Sequence, residues 1–323
     1  MKVTAFVSHP DCALHDTGWK HPEHQGRLPA LVRAVYRDML TLHDRLLEVE
    51  ARPATEEDLL LVHSPAYVAS VREAVARAAA AGEPLTLGGE TRVSAASWAA
   101  ALAAAGTAIT GVEVVLAGEV RNAFCAARPP GEGALPEQPG RFSLFNNLAI
   151  AAHWLRVQRH LMRMLIVRWG GGPDDALTQL FAGDAGVRVL AVHQQSAAGR
   201  ESAASPLAGP GIHSVSLPAG TGGGLFTSAF EAALDETLAG FTPELILLAA
   251  GFDALSADPL GELVLEPVDF YTLTRHLRER ADALCGGRLV SVLEGGYSPA
   301  ALGQAVVQHL RALSGLPAAS PTT

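Results

Sequence analysis

Short apolar runs alternate with amphipathic stretches of helical length through most of this chain, and that alternation admits few folds. The clearest unit covers residues 164–181. Met164-Leu-Ile-Val-Arg-Trp169 is a mostly apolar run stopped by Gly170, Gly171 and Gly172, the pattern of a buried strand. After Pro173, the pair Asp174-Asp175 opens a second run to Phe181, with carboxylates where a helix N-terminus favours negative charge. Strands are predicted at 2–8, 46–51, 123–128, 163–169, 187–194, 212–217, 244–251 and 288–296. Helices are predicted at 25–40, 94–116, 146–158, 174–182, 228–239, 268–284 and 299–314, with shorter starts at Thr55 and Ser64-Pro65. Strands separated by helices call for parallel crossovers, so a mostly parallel sheet covered on both faces is expected, a three-layer α/β/α arrangement. Residues 1–315 show no linker and no fixed-period repeat, and read as one domain. Residues 316–323 read as a flexible C-terminal tail.

Composition narrows the functional classes. With 323 residues, 49% of them hydrophobic, the chain can fill one large core. The net charge of -9 and the lack of a long basic run argue against general affinity for nucleic acid or an anionic membrane. Residues 94–118 are alanine-rich, but Ser94, Ser97, Thr107, Thr110 and Glu113 interrupt them, so a helix of a water-soluble protein is expected there rather than a span. Cys12, Cys125 and Cys285 stand far apart, and the N-terminus reads as a strand rather than a signal peptide. A reducing cytoplasm is the expected location.

The loops carry the functional signal. His9-Pro10-Asp11-Cys12, His15-Asp16-Thr17-Gly18, His21-Pro22-Glu23 and Arg27-Leu28 follow one another near the start. Val62-His63-Ser64-Pro65-Ala66-Tyr67, Glu90-Thr91-Arg92-Val93-Ser94, Arg128-Pro129-Pro130-Gly131 and Phe145-Asn146-Asn147 come next. Ala250-Gly251-Phe252-Asp253-Ala254, Asp258-Pro259-Leu260-Gly261 and Leu293-Glu294-Gly295-Gly296-Tyr297 complete the series. In this order, over nearly the whole chain, the set resembles the histone deacetylase and acetylpolyamine amidohydrolase family, above all its bacterial class II branch. The resemblance implies the arginase/deacetylase fold, with an eight-stranded parallel sheet, and a zinc-dependent hydrolysis of acetylated amines.

The same resemblance implies which residues should do that chemistry, and most are replaced. Where the family places an aspartate and a histidine as zinc ligands stand Gly170 and Gly172, and only Asp253 of the ligand set is kept. Where it places the paired histidines that act as base and acid stand Glu132 and Gly133. Tyr297 matches the tyrosine that polarises the substrate carbonyl. Asp175 matches the partner of a lost histidine, and Arg168 stands in place of an aspartate. Arg141-Phe142 replaces a Gly-Phe pair, which puts a long cation at the expected tunnel wall. A catalytic zinc needs three protein ligands and an open position, so no metal or other cofactor is expected here. Restoring the lost positions (Gly170→Asp, Gly172→His, Glu132→His, Gly133→His) is expected to recover zinc if the scaffold is otherwise intact.

The expectation is therefore a deacetylase-fold pseudoenzyme that works as a binding or partner protein, as a homo-oligomer or with an active paralogue. The rival expectation is an amide hydrolase of acetyl-lysine or acetylpolyamine substrates, zinc-dependent through other ligands or changed in mechanism, with Glu132 as its base. The pocket itself has two readings. Arg168, Glu132, Asp175, Asp253 and Tyr297 could form a remodelled site for a small cationic or zwitterionic ligand. Alternatively they are an inert remnant in which Asp253 and Arg168 form a buried salt bridge. His9, His15 and His21 are irregularly spaced and are not expected to bind metal. Residues 170–172 lack the lysine of a phosphate loop.

Overall fold

The computed structural model describes residues 3–172, 176–195 and 209–320. Its strands are β1 (Thr4–Ser8), β2 (Leu46–Glu50), β3 (Leu85–Gly88), β4 (Thr91–Val93), β5 (Asn122–Cys125), β6 (Met164–Gly170), β7 (Val187–Gln194), β8 (Ile212–Leu217), β9 (Leu245–Ala250) and β10 (Leu289–Leu293). The helices are α1 (Arg27–Arg37), α2 (Met39–Leu42), α3 (Glu56–Leu59), α4 (Pro65–Ala81), α5 (Ser97–Leu116), α6 (Asn147–Arg159), α7 (Ala176–Phe181), α8 (Gly223–Leu238), α9 (Pro267–Cys285) and α10 (Pro299–Leu313). Eight strands form one sheet in the order β2-β1-β5-β10-β9-β6-β7-β8, and every pairing is parallel. The carboxyl ends of all eight therefore lie at one edge, where the loops of an open α/β sheet build a site.

The eight main-sheet strands fall where apolar runs predict them, and the differences have local causes. The helix foreseen at 25–40 breaks at Asp38 into α1 and α2, with the Asp38 amide turned back onto the carbonyls of Ala34 and Val35. Helix α5 begins at Ser97 rather than 94, because the Ser97 hydroxyl accepts from the Ser94 amide at 2.7 Å and stops the coil one turn later. Helix α8 begins at Gly223, five residues early. Gly223 sits so close against the Asp269 carboxyl that a side chain would not fit, and the glycines start the helix instead of ending a loop. Strands β3 and β4 form a small antiparallel pair outside the sheet that short polar segments did not announce. Gly89, at φ 53°, makes its turn. Of the helix start at residues 174 and 175, only the part from Ala176 falls within the described residues.

Helix α5 has the length and composition to cross a membrane, yet 72% of its most apolar window is buried inside the fold. Gly106 packs against the backbone of residues 52–54, and Gly111 against Cys125 and Val290. The core is continuous from Phe6 and Val7 through Phe124, Ile166 and Trp169 to Leu247, Val292 and Leu310. The three cysteines are free and buried. At the C-terminus, residues 316–319 of the tail read as flexible are tied back. Tyr271 donates to the Leu316 carbonyl at 2.9 Å, and Gln308 and Ala319 exchange bonds of 2.9 and 3.0 Å.

Three histidines are built into this interior as neutral groups. His309 sits between Thr274 Oγ1 at 2.6 Å and Ser291 Oγ at 2.8 Å, and burial pushes it down to about 3. Burial likewise lowers His15 to about 4, helped by Arg128, and His63 to about 4. Unfolded, each would take up a proton near 6.5, so acidification through that point favours the unfolded chain. Asp258 works the other way, because burial lifts its carboxyl from 3.8 to about 6 and the folded state protonates first. Burial also lowers His24 and His153 and raises Asp269, so the depressed histidines outnumber the raised carboxyls and stability is expected to fall from pH 6.5 toward pH 5. Urea midpoints across that range test this, and a midpoint indifferent to pH would refute it.

Candidate functional site

The site forms around the gap between β5 and β6, into which β10 and β9 fit. The loop leaving β5 is organised by charge. Arg128 lies beyond the strand that was predicted to include it, fully buried and followed by a cis Arg128-Pro129 bond. It holds Glu23 with Nε on Oε1 at 2.7 Å and Nη2 on Oε2 at 3.0 Å, and donates to the His15 carbonyl at 2.6 Å. Arg27 completes a buried triad: Nη1 to Glu23 Oε1 at 2.9 Å, Nε to the Gly296 carbonyl at 2.7 Å. Burial alone would push the Glu23 carboxyl up, but Arg128 and Arg27 together hold it below its usual range. The triad clamps the N-terminal loop, the β5 loop and the segment after β10 to one another.

The next residues receive a second carboxylate. Glu294 Oε2 accepts from the Gly131 amide at 2.7 Å and the Glu132 amide at 3.1 Å. Gly131 is needed there, since a Cβ would stand 2.5 Å from the Asn147 amide nitrogen. The loop is fixed from behind by Asn146, whose Nδ2 donates to the carbonyls of Glu132 and Ala134, and by His63, which accepts from the Asn146 amide at 2.9 Å. His63 Nδ1 therefore carries the proton and donates to the Leu135 carbonyl at 3.0 Å. This frame delivers the Glu132 side chain, 6% exposed, to Arg168 Nε at 2.9 Å.

Arg168 is 1% exposed on β6, and its Nη2 also donates to the Gly172 carbonyl. Its ion partner is Glu132, so the expected Arg168–Asp253 salt bridge is corrected. The cause is the side on which each carboxylate arrives. Asp253 turns to the glycine run, where Oδ1 accepts from the Gly171 amide at 2.8 Å. Its carboxyl occupies a cradle that only glycines permit. A Cβ on Gly170 would lie 2.9 Å from Asp253 Oδ1, one on Gly251 also 2.9 Å, and one on Gly295 2.7 Å from the carboxyl carbon. At Gly172, by contrast, a Cβ would meet no atom of the described residues within 4 Å. Asp175 lies outside the described residues.

Tyr297 follows the cradle. Its amide donates to Asp258 Oδ2 at 2.6 Å, and the Arg27 guanidinium stands 4.9 Å over its ring. Burial holds the phenol well above its usual range, although Arg27 pulls it down. Phe142, buried and at φ 60°, meets Tyr297 edge-on at 5.3 Å and His21 at 4.7 Å. Arg141 turns away to the rim, paired with Glu90 at 2.8 Å and stacked over the Phe142 ring at 5.1 Å. Phe142 rather than Arg141 is therefore the residue presented to Tyr297. His9 accepts from the Asp11 amide, His15 contacts Ser97 Oγ at 2.7 Å, and His21 donates to the Glu90 carbonyl. Among the described residues no three His, Cys, Asp or Glu side chains gather as metal ligands would. Arg27, Glu23, Arg128, Glu294 and Asp258 were visible in the motifs, but their partners lie up to 269 positions away and carried no local signal.

Residues 21–313 match the histone deacetylase domain. The chain is 33% identical to "Histone deacetylase 10, chloroplastic" of Oryza sativa subsp. japonica, over 92% of this chain and 70% of that protein. It is 32% identical to "Histone deacetylase-like amidohydrolase" of Pseudomonas aeruginosa, over 96% of this chain and 80% of that one. Identity to "Polyamine deacetylase HDAC10" of Homo sapiens is 33% over 98% of this chain, which spans about half (48%) of that protein. Among solved structures, the HDA15 HD domain superposes with a TM-score of 0.87 at 26% identity, covering 98% of this chain and 89% of that one.

Proposed function

The chain belongs to the histone deacetylase family, and from that premise we propose that it is a member whose site binds rather than hydrolyses. The observation that carries this reading is the ion pair between Glu132 and Arg168, set beside a glycine run that offers no donor side chain. The zinc that the family implies needs at least three donors of suitable geometry. Here Gly170 and Gly172 supply none, and the Asp253 carboxylate is committed to the Gly171 amide. The residues present do not fit zinc, so no step is routed through it. Glu132 is likewise engaged, its carboxylate paired with the buried Arg168 guanidinium at 2.9 Å.

What remains is a pocket floor of negative and aromatic character. Asp253 carries one carboxylate against the cradle, Glu132 a second that Arg168 balances, and the Tyr297 ring, backed by the buried Phe142, supplies aromatic character. That combination suits a small cationic or zwitterionic ligand, an amine such as the deacetylated form of a lysine or polyamine side chain. The protein then acts as a cytoplasmic binding or partner protein, with a second copy of itself or an active paralogue as the natural associate. The competing reading is an active deacetylase of acetyl-lysine or acetylpolyamine substrates. Tyr297 favours it, because the phenol is retained and its backbone is anchored through Asp258.

Two measurements on the purified chain decide between these. Elemental analysis after chelation, zinc re-addition and desalting is expected to find far less than one zinc per chain. Incubation with an acetyl-lysine peptide and with an N-acetylated polyamine is expected to release no acetate above the protein-free blank. One tightly held zinc per chain together with turnover of either substrate would establish the hydrolase instead.

A further inference from the structure

The most exposed large apolar side chains among the described residues are Leu40 at 93% and Trp19 at 69%, and both belong to the surroundings of α1. That helix buries Leu28, Leu31 and Val35 and turns Pro29, Arg33, Tyr36 and Arg37 outward, a stripe at helical spacing. The break at Asp38 does not end the stripe. The Asp38 carbonyl accepts from the Thr41 and Leu42 amides at 2.9 and 3.1 Å and opens α2, in which Leu42 is buried and Leu40 projects. Beside it runs β2, the outermost strand of the sheet on this side.

The two ends of the stripe differ in shape. At its start lies a groove of about 660 Å³ between the loop ahead of α1 and α1 itself, with Leu14, Trp19, Pro29 and Ala30 in its lining. The lining holds one cation, Arg33, and one carboxylate, Asp16, so the hollow has no net sign and suits an apolar side chain. Trp19 is not loose, since its ring leans on His24 with centroids 5.3 Å apart. At the far end, Leu40 is a projection with nothing around it. Charge is divided as well. The exposed Arg33 and Arg37 come from α1, one turn apart, and have no ion pair among the described residues. The exposed Glu48 and Glu50 share one face of β2, and the Tyr36 hydroxyl donates to Glu48 Oε2 at 2.9 Å.

We propose that this flank is a two-fold interface between two copies of the chain, in which Leu40 of each copy enters the Leu14–Trp19 groove of the other and Glu48 and Glu50 of each meet Arg33 and Arg37 of the other. A two-fold contact sets one patch against itself, so the patch must be self-complementary. With the axis at Tyr36, Leu40 lies about one helical turn to one side and residues 30–33, the floor of the groove, about one to two turns to the other. Rotation about that axis brings projection to hollow and carboxylates to guanidiniums. The inference gives a place to the second copy named above as an associate and rests on that part of the reading alone. Zinc content and turnover test the central site, whereas molecular mass tests this one.

Sedimentation equilibrium of the full chain over micromolar concentrations is expected to show a monomer–dimer equilibrium that weakens as salt is added. Leu40→Glu is expected to weaken dimerisation at least tenfold with an unchanged far-UV circular dichroism spectrum. Two charge-reversed proteins, Arg33→Glu with Arg37→Glu and Glu48→Arg with Glu50→Arg, are each expected to be monomeric alone. Mixed in equal amounts they are expected to pair, because the reversed charges again face their opposites. The proposal is overturned by a monomer at every concentration, which would leave the groove to another occupant, by a dimer that Leu40→Glu leaves intact, or by a mixture that stays monomeric.

Discussion

Glu23→Ala is expected to cost about 3–5 kcal/mol of folding stability, because it strands two buried guanidiniums at once. Both Glu23 oxygens are used, Oε1 by Arg27 and Arg128 and Oε2 by Arg128, and all three residues are fully buried. Deleting the carboxylate leaves charge in the interior with carbonyl dipoles and the Tyr297 ring, but no counter-charge from Glu23, to offset it. Glu23→Gln keeps an acceptor and loses the charge, so it should fall between alanine and the wild type. The damage should also spread, because Arg27 holds the carbonyls of Glu294 and Gly296 beside Tyr297. Equilibrium urea unfolding of the three proteins gives the order directly. An alanine variant within about 1 kcal/mol of the wild type would mean that the triad does not behave as a buried ion network.

Rebuilding the metal site is expected to fail in its simplest form and to succeed in an extended one. Gly170→Asp, Gly172→His, Glu132→His and Gly133→His return the four lost side chains, yet they leave Arg168 in place without Glu132. Arg168 Nη2 would stand 3.8 Å from the new Cβ at position 170, so the introduced aspartate would be captured by the guanidinium. The same Cβ would lie 2.9 Å from Asp253 Oδ1, which must first leave the Gly171 amide. The four-position variant should therefore hold no zinc and be less stable than the wild type. Adding Arg168→Asp removes the competing charge, and that five-position variant should take up close to one zinc per chain by elemental analysis. Stoichiometric zinc in the four-position variant would show that Arg168 does not intercept the aspartate. No zinc in the five-position variant would show that the glycine loop no longer presents its side chains to a common point.

The scaffold was largely legible from sequence because its signals are local. Runs such as 187–194 and 212–217 have the bounds that β7 and β8 take, and Thr55 with Asp58 forms the capping box that its position suggests. What escaped was non-local. No pattern within residues 163–170 says whether Arg168 meets Glu132 or Asp253, since the choice depends on where two loops from other strands arrive. Arg141 was placed at the wall by its position in a motif, but the left-handed backbone at Phe142 sends one side chain inward and the other to Glu90.

The strand order also has a consequence for how the chain can assemble. The two strands that separate β5 from β6 are the last to be synthesised, so the middle of the sheet is the last part to exist. Until roughly the final quarter of the chain is available, β5 and β6 each present an unpaired edge, and the apolar faces above them lack their cover. Long-range closure of this kind is slow, and bare parallel edges invite association with other chains. During biosynthesis the protein therefore passes through a long interval as two half-sheets, and its yield should depend on chaperone capacity more than the stability of the finished fold suggests.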